Sequence, residues 1–111
     1  MGRAPNPSLR EFHLTVARAT VSAYRDAMGR GEPQEACFAA AKAACVAVGG
    51  DPGALGDAAM RMVTAASIEH GEWFYAPVRR RLEHEERHLR ALGCWPPPLD
   101  RKKWPLIPPL P

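Results

Sequence analysis

A chain of 111 residues with a formal net charge of +3 has room for one domain. Its three cysteines, Cys37, Cys45 and Cys94, are odd in number and lack a Cys-x-x-Cys spacing. That excludes a disulfide framework and fits a reducing compartment. No apolar run approaches the roughly eighteen residues a bilayer span needs, so no membrane partner is expected.

Nineteen residues are alanine. Alanine faces let helix axes approach to roughly 8 Å, but each alanine contributes little buried area. Such a core is marginal by itself, and help from a partner or from self-association is expected. The segment Met1-Gly2-Arg3-Ala4-Pro5-Asn6-Pro7 lacks the apolar stretch of a secretory signal, which points to a cytoplasmic location.

In chain order, Ser8-Leu9-Arg10-Glu11 fits a capping box and predicts the start of a first helix. Phe12, Val16, Ala19 and Ala23 follow at helical spacing, Leu14, Val21, Tyr24 and Met28 widen the apolar side, and Gly29 and Gly31 end it. Pro33, placed at a first helical position, opens an alanine-rich second helix running to about Val48. Gly49-Gly50 stops that helix and Asp51-Pro52 opens a third, carrying Leu55, Met60, Met62, Val63 and Ile68 to about His70. Cys37 and Cys45 read as small core residues.

Ahead of the fourth helix, Ala76 precedes Pro77, which disfavours helical geometry and marks either a break or a kink. A fourth helix is expected from Pro77 to about Leu92, with a stripe of Val78, Leu82, Leu89 and Leu92, and Gly93 as its C-terminal cap. Trp73-Phe74-Tyr75 at the junction reads as a plug for the end of the core. Nothing alternates in the manner of a strand. The fold class is therefore all-α: a small three- to four-helix bundle over residues 1–94, followed by an extended, proline-rich basic arm over 95–111.

The arm interleaves prolines with Trp95, Leu99, Trp104, Leu106, Ile107 and Leu110. Disordered tails are poor in such side chains, so the arm is expected to lie on a surface, either that of its own helices or that of a neighbouring chain.

Charge is uneven along the chain. Residues 1–78 hold seven basic and eight acidic side chains, net −1, whereas residues 79–111 hold eight and four, net +4. The positive half comprises Arg79-Arg80-Arg81, Arg87, Arg90 and Arg101-Lys102-Lys103. Arg81–Glu85, Arg79–Glu83, Glu83–Arg87 and Glu86–Arg90 are spaced to pair along a helix. If the helix begins at Pro77, three arginines crowd the end where the dipole favours negative charge; a helix continuing through a kink at Pro77 removes that conflict.

One motif suggests chemistry. His84-Glu85-Glu86-Arg87-His88 matches H-E-x-x-H, in which histidines four apart on a helix share a zinc ion and the glutamate between them activates water. It resembles the signature of zinc metalloproteases, and that resemblance implies zinc-dependent hydrolysis. Both variable positions are charged, however, and Asp100 is the sole acidic residue downstream to complete a ligand set. Glu85-Glu86-Arg87-His88 also contains one E-x-x-H, where di-iron bundles need two. In a helix-turn-helix across the second and third helices, the would-be recognition helix would present Arg61 as its sole basic residue.

These features favour a non-catalytic helical interaction protein, an accessory or assembly subunit or an inhibitor, with no catalytic residues, metal or cofactor. It would dock on a protein partner or self-associate through Arg79, Arg80, Arg81, Trp95, Arg101, Lys102, Lys103, Trp104, Leu106 and Ile107. The alternative is a small nucleic-acid-binding regulatory or phage protein using the same basic segment. The H-E-x-x-H hydrolase is the more remote alternative.

Overall fold

A computed structural model describes residues 5–110. Four helices pack together: α1 (Leu14–Gly29), α2 (Gln34–Ala47), α3 (Asp57–Glu69) and α4 (Gly71–Ala91). One-turn 3-10 helices at Leu9–Glu11, Ala54–Gly56 and Arg101–Lys103 complete the regular structure. The architecture is all-α; there is no strand among the described residues, and the segment after α4 is extended. No helix of the described residues is long and apolar enough to cross a membrane.

α1 lies at the centre, packed against α2, α3 and α4. The core joins Ala17, Val21, Tyr24 and Ala27 of α1 to Cys37, Ala41 and Cys45 of α2, Met62, Val63 and Ala66 of α3, and Phe74 of α4. Burial pushes the Cys37 thiol up from its ordinary value, and since the thiolate is the reactive form, it behaves as a small apolar residue. Phe74 is the large side chain that closes the core, stacked on Tyr24 at 5.9 Å, while Trp73 and Tyr75 stay half-exposed.

Helix boundaries depart from the sequence expectations in four places. The Ser8–Glu11 box does form, but it caps the one-turn helix Leu9–Glu11 rather than α1. Phe12 is extended, so that Leu9 and Phe12 both fold onto the core, and α1 starts afresh at Leu14 with His13 Nδ1 accepting from the Thr15 N–H at 3.3 Å. Glu11 keeps a further partner in Arg61, 2.6 Å away; that hydrogen bond, with the Ser8 N–H, holds its carboxyl below the usual carboxylate range.

Pro33 is the cap of α2 rather than its first residue. Asp51-Pro52 does not open α3. Gly53 (φ 85) and Gly56 (φ 79) carry the chain through left-handed geometry first, and α3 begins at Asp57. Leu55, expected on the apolar face, is instead 99% exposed at φ 54.

The fourth departure is the largest. α4 starts at Gly71 and runs unbroken through Pro77; the chain bends at His70 (φ −134, ψ 45) instead. Proline inside a helix removes one N–H and so orphans the carbonyl four residues earlier. Here that carbonyl belongs to Trp73, and the Arg25 Nε–H of α1 donates to it at 2.8 Å. The same guanidinium stacks over the Trp73 ring at 4.4 Å. The Pro77 ring is accommodated by Gly29, where a Cβ would come within 2.5 Å of the Pro77 Cβ. Arg79–Arg81 therefore sit in mid-helix, and the conflict with the helix dipole does not arise.

The radius of gyration is 16.9 Å, above the roughly 13 Å of a compact chain of this length. The extents, 49 × 36 × 22 Å, are those of an elongated molecule. Past Phe74, the buried residues of α4 are Glu85 and Leu89, and the apolar stripe expected there is incomplete: Val78 is half-buried, Leu82 and Leu92 exposed.

Candidate functional site: the arm on distal α4

The turn that begins the arm follows from the end of α4. Gly93 (φ 72) reverses the chain, its N–H bonding the Arg90 carbonyl at 3.0 Å, while the Cys94 N–H bonds that of Leu89 at 2.8 Å. The glycine predicted as a cap serves as one. The chain then runs back along its own helix.

Three kinds of contact hold it there. The first is electrostatic. The Glu85 side chain, 11% exposed, accepts from Arg81 at 3.0 Å and from Arg101 of the arm. Arg81 also donates through Nε to the Gly29 carbonyl at 3.2 Å, so one guanidinium links the end of α1, the middle of α4 and, through Glu85, the arm. The second is a hydrogen bond from His84 Nε2 to the Pro108 carbonyl at 2.6 Å. The third is aromatic. Trp95 and Trp104 share a crevice of about 340 Å³ with Leu89, which has no solvent exposure. Arg90 stacks on Trp95 at 5.0 Å and Arg101 on Trp104 at 4.2 Å.

The arm also carries its own internal bracing. Asp100 accepts from the Lys102 N–H at 3.0 Å and so caps the turn Arg101–Lys103. Trp104 Nε1 donates to the Pro98 carbonyl at 2.7 Å. The arm thus has a defined shape on α4.

The ten residues singled out in the sequence separate into two groups. Arg81, Arg101, Trp95 and Trp104 face inward or stack on a neighbour and hold the arm, and Ile107 is half-buried beside them. Arg79 donates to the Glu72 carbonyl at 3.2 Å rather than pairing with Glu83. Arg80, Lys102, Lys103 and Leu106 are exposed. Of the predicted pairs on α4, Arg81–Glu85 and Glu86–Arg90 form.

Sequence reasoning missed the roles of His84 and Glu85, which it placed in the H-E-x-x-H motif. The imidazoles of His84 and His88 lie edge to face, 4.5 Å between centroids, but His84 is bonded to the arm and Glu85 lies between two arginines. Among the described residues no group of three His, Cys, Asp or Glu is placed to hold a metal ion. Leu99, one of several apolar residues of the arm, is the most exposed of them.

Despite these restraints, the arm leaves large apolar side chains in water. Leu99 and Leu106 are 104% and 96% exposed, with Lys102 and Lys103 between them in the chain and both exposed. Comparison of the chain with protein-family models, curated proteins and solved structures gives no match.

Proposed function

We propose that the protein is a non-catalytic helical interaction protein of the cytoplasm, an accessory or assembly subunit or an inhibitor, that presents its folded-back arm to an acidic face of a partner protein. The observation that carries this reading is the combination of a braced arm with two fully exposed leucines. An arm already held in shape loses little conformational freedom on docking. Leu99 and Leu106 supply the apolar contacts, and Arg80, Lys102 and Lys103 supply charge that steers an acidic partner. A non-catalytic role is supported by the engagement of His84 and Glu85 with the arm, which occupies the groups an H-E-x-x-H hydrolase would need.

The test is a tagged purification from the native host, run in parallel for the wild type and for a Leu99→Ser, Leu106→Ser double variant. Both substitutions are on exposed side chains and should leave the helical circular dichroism unchanged. A stoichiometric protein partner is expected with the wild type and lost with the variant. Light scattering reveals whether that partner is a second copy of the chain. The same partners with both proteins would overturn the reading, and nucleic acid recovered without protein would move it to the basic residues.

A further inference from the structure

A second feature lies apart from the arm, where α1, the end of α3 and the start of α4 meet. A cavity of about 270 Å³ opens there. Its floor is made by Ala17, Val21 and Ala66, each 5% exposed or less. The void exists because two of these three positions are alanine, where a larger side chain would have filled the space. Trp73 forms one wall. The Arg25 guanidinium occupies part of the indole, yet the ring remains 44% exposed. Leu9 closes one side, held by the capped turn and by the Glu69 carboxylate, which accepts from the Leu9 N–H at 3.2 Å.

The polar groups at this cavity share a character. Arg18 and His70 line it, both are exposed, and among the described residues no acidic side chain lines it. The nearby Glu69 is directed to the Leu9 backbone. An apolar floor, an indole wall and a rim of a guanidinium and an imidazole form the pattern of a small-ligand site, in which a few polar groups fix orientation over an apolar surface.

Size narrows the ligand. A dry apolar cavity of about 150 Å³ accepts benzene, and drug-sized ligands need roughly 300 Å³ or more. About 270 Å³ suits one ring with a short chain. Charge narrows it further, because guanidinium binds carboxylate through paired, charge-assisted hydrogen bonds.

We propose that this cavity is a binding site for a small aromatic monocarboxylate, its ring on the Ala17–Val21–Ala66 floor against Trp73 and its carboxylate at Arg18 and His70. No residue of the arm takes part, so the proposal stands or falls separately from the docking reading.

The experiment is a nuclear magnetic resonance titration of the full ¹⁵N-labelled chain with 4-phenylbutyrate, and in parallel with its neutral analogue 4-phenylbutanol. With the acid, saturable shifts are expected at the Trp73 indole and the Ala17 and Ala66 amides. The alcohol, and the acid against Arg18→Gln, should bind about tenfold more weakly, the scale of one charge-assisted hydrogen bond. Arg18 is exposed, so that variant keeps the fold. Ala17→Leu, which fills the floor, should abolish the shifts, and if it fails to fold, Arg18→Gln and the alcohol still decide the matter. Absence of saturation at about 10 mM acid, above even the weak millimolar range of specific affinities, would overturn the proposal. Equal affinity for acid and alcohol, or an Arg18→Gln chain that binds as tightly as the wild type, would do so too.

Discussion

In the helical body, buried alanines, cysteines and Phe74 hold α1 to its neighbours through apolar contact. Along distal α4, an ion-paired glutamate, a histidine bonded to a proline carbonyl and two half-exposed tryptophans hold the arm. The first set loses water when it forms and is lost only when the helices part. The second lies nearer solvent, and apart from the half-enclosed Glu85 pairs its contacts are individually weak and can open alone. The body is therefore expected to unfold as one unit, while the arm detaches below the global transition.

The sharpest way to break that contrast is at Phe74. It is 2% exposed and is the sole aromatic of α4 in the core. Phe74→Ala should cost about 3–5 kcal/mol, a large share of the roughly 5–15 kcal/mol that stabilises a domain. Urea unfolding followed by circular dichroism should show a collapsed midpoint or a chain unfolded in buffer. A loss below about 1 kcal/mol would place the stability elsewhere than in this core.

Next in size is Glu85→Gln. The change keeps the side-chain shape but removes the charge that Arg81 and Arg101 share. With Glu85 11% and Arg101 58% exposed, the cost should fall between that of surface and buried pairs, about 1–3 kcal/mol. Hydrogen exchange at the Lys102 and Trp104 amides should quicken while the amides of α1 keep their protection. Equal loss of protection in both regions would show that arm and body are one cooperative unit.

The same division explains what could be read in advance. Features set within a turn of chain were legible: the Ser8–Glu11 box, the stop at Gly29 and Gly31, the Gly93 cap, and the pairs Arg81–Glu85 and Glu86–Arg90. Features set across the fold were not. Break and kink stay undecided at Pro77 from sequence because the group that bonds the orphaned carbonyl comes from Arg25, and the Arg25–Trp73 bond spans 48 positions. His84 and Glu85 looked like a metal motif because Arg101 and Pro108 reach them only after the chain reverses at Gly93. The arm's composition predicted that it would lie on a surface, and the contacts identify that surface as its own α4.

Arg25 and Pro77 offer a smaller test that isolates one such long-range contact. Arg25→Met removes the donor to the Trp73 carbonyl and should cost about 1 kcal/mol. In a Pro77→Ala background the restored N–H can bond that carbonyl within the helix, and the same Arg25→Met change should then cost close to nothing. The expected coupling is about 0.5–1 kcal/mol in a double-mutant cycle read by thermal unfolding. Simple additivity would mean that the guanidinium acts through its stacking on Trp73 rather than through the hydrogen bond.

The smallest effect, and the one of opposite sign, belongs to Leu55. Its φ of 54 and ψ of 18 place a side chain in left-handed geometry, and its 99% exposure means that no burial compensates. Left-handed geometry costs a residue with a Cβ about 1–2 kcal/mol, whereas glycine adopts it freely at the expense of about 0.5–1 kcal/mol of extra chain entropy. Leu55→Gly should therefore stabilise by a few tenths to about 1 kcal/mol, a Tm rise of about 2–6 °C for a domain near this size. Leu55→Ala retains the Cβ and should leave Tm unchanged. The pair of variants separates backbone strain from the loss of an exposed leucine. If alanine raises Tm as much as glycine, the apolar side chain rather than the backbone is the cause.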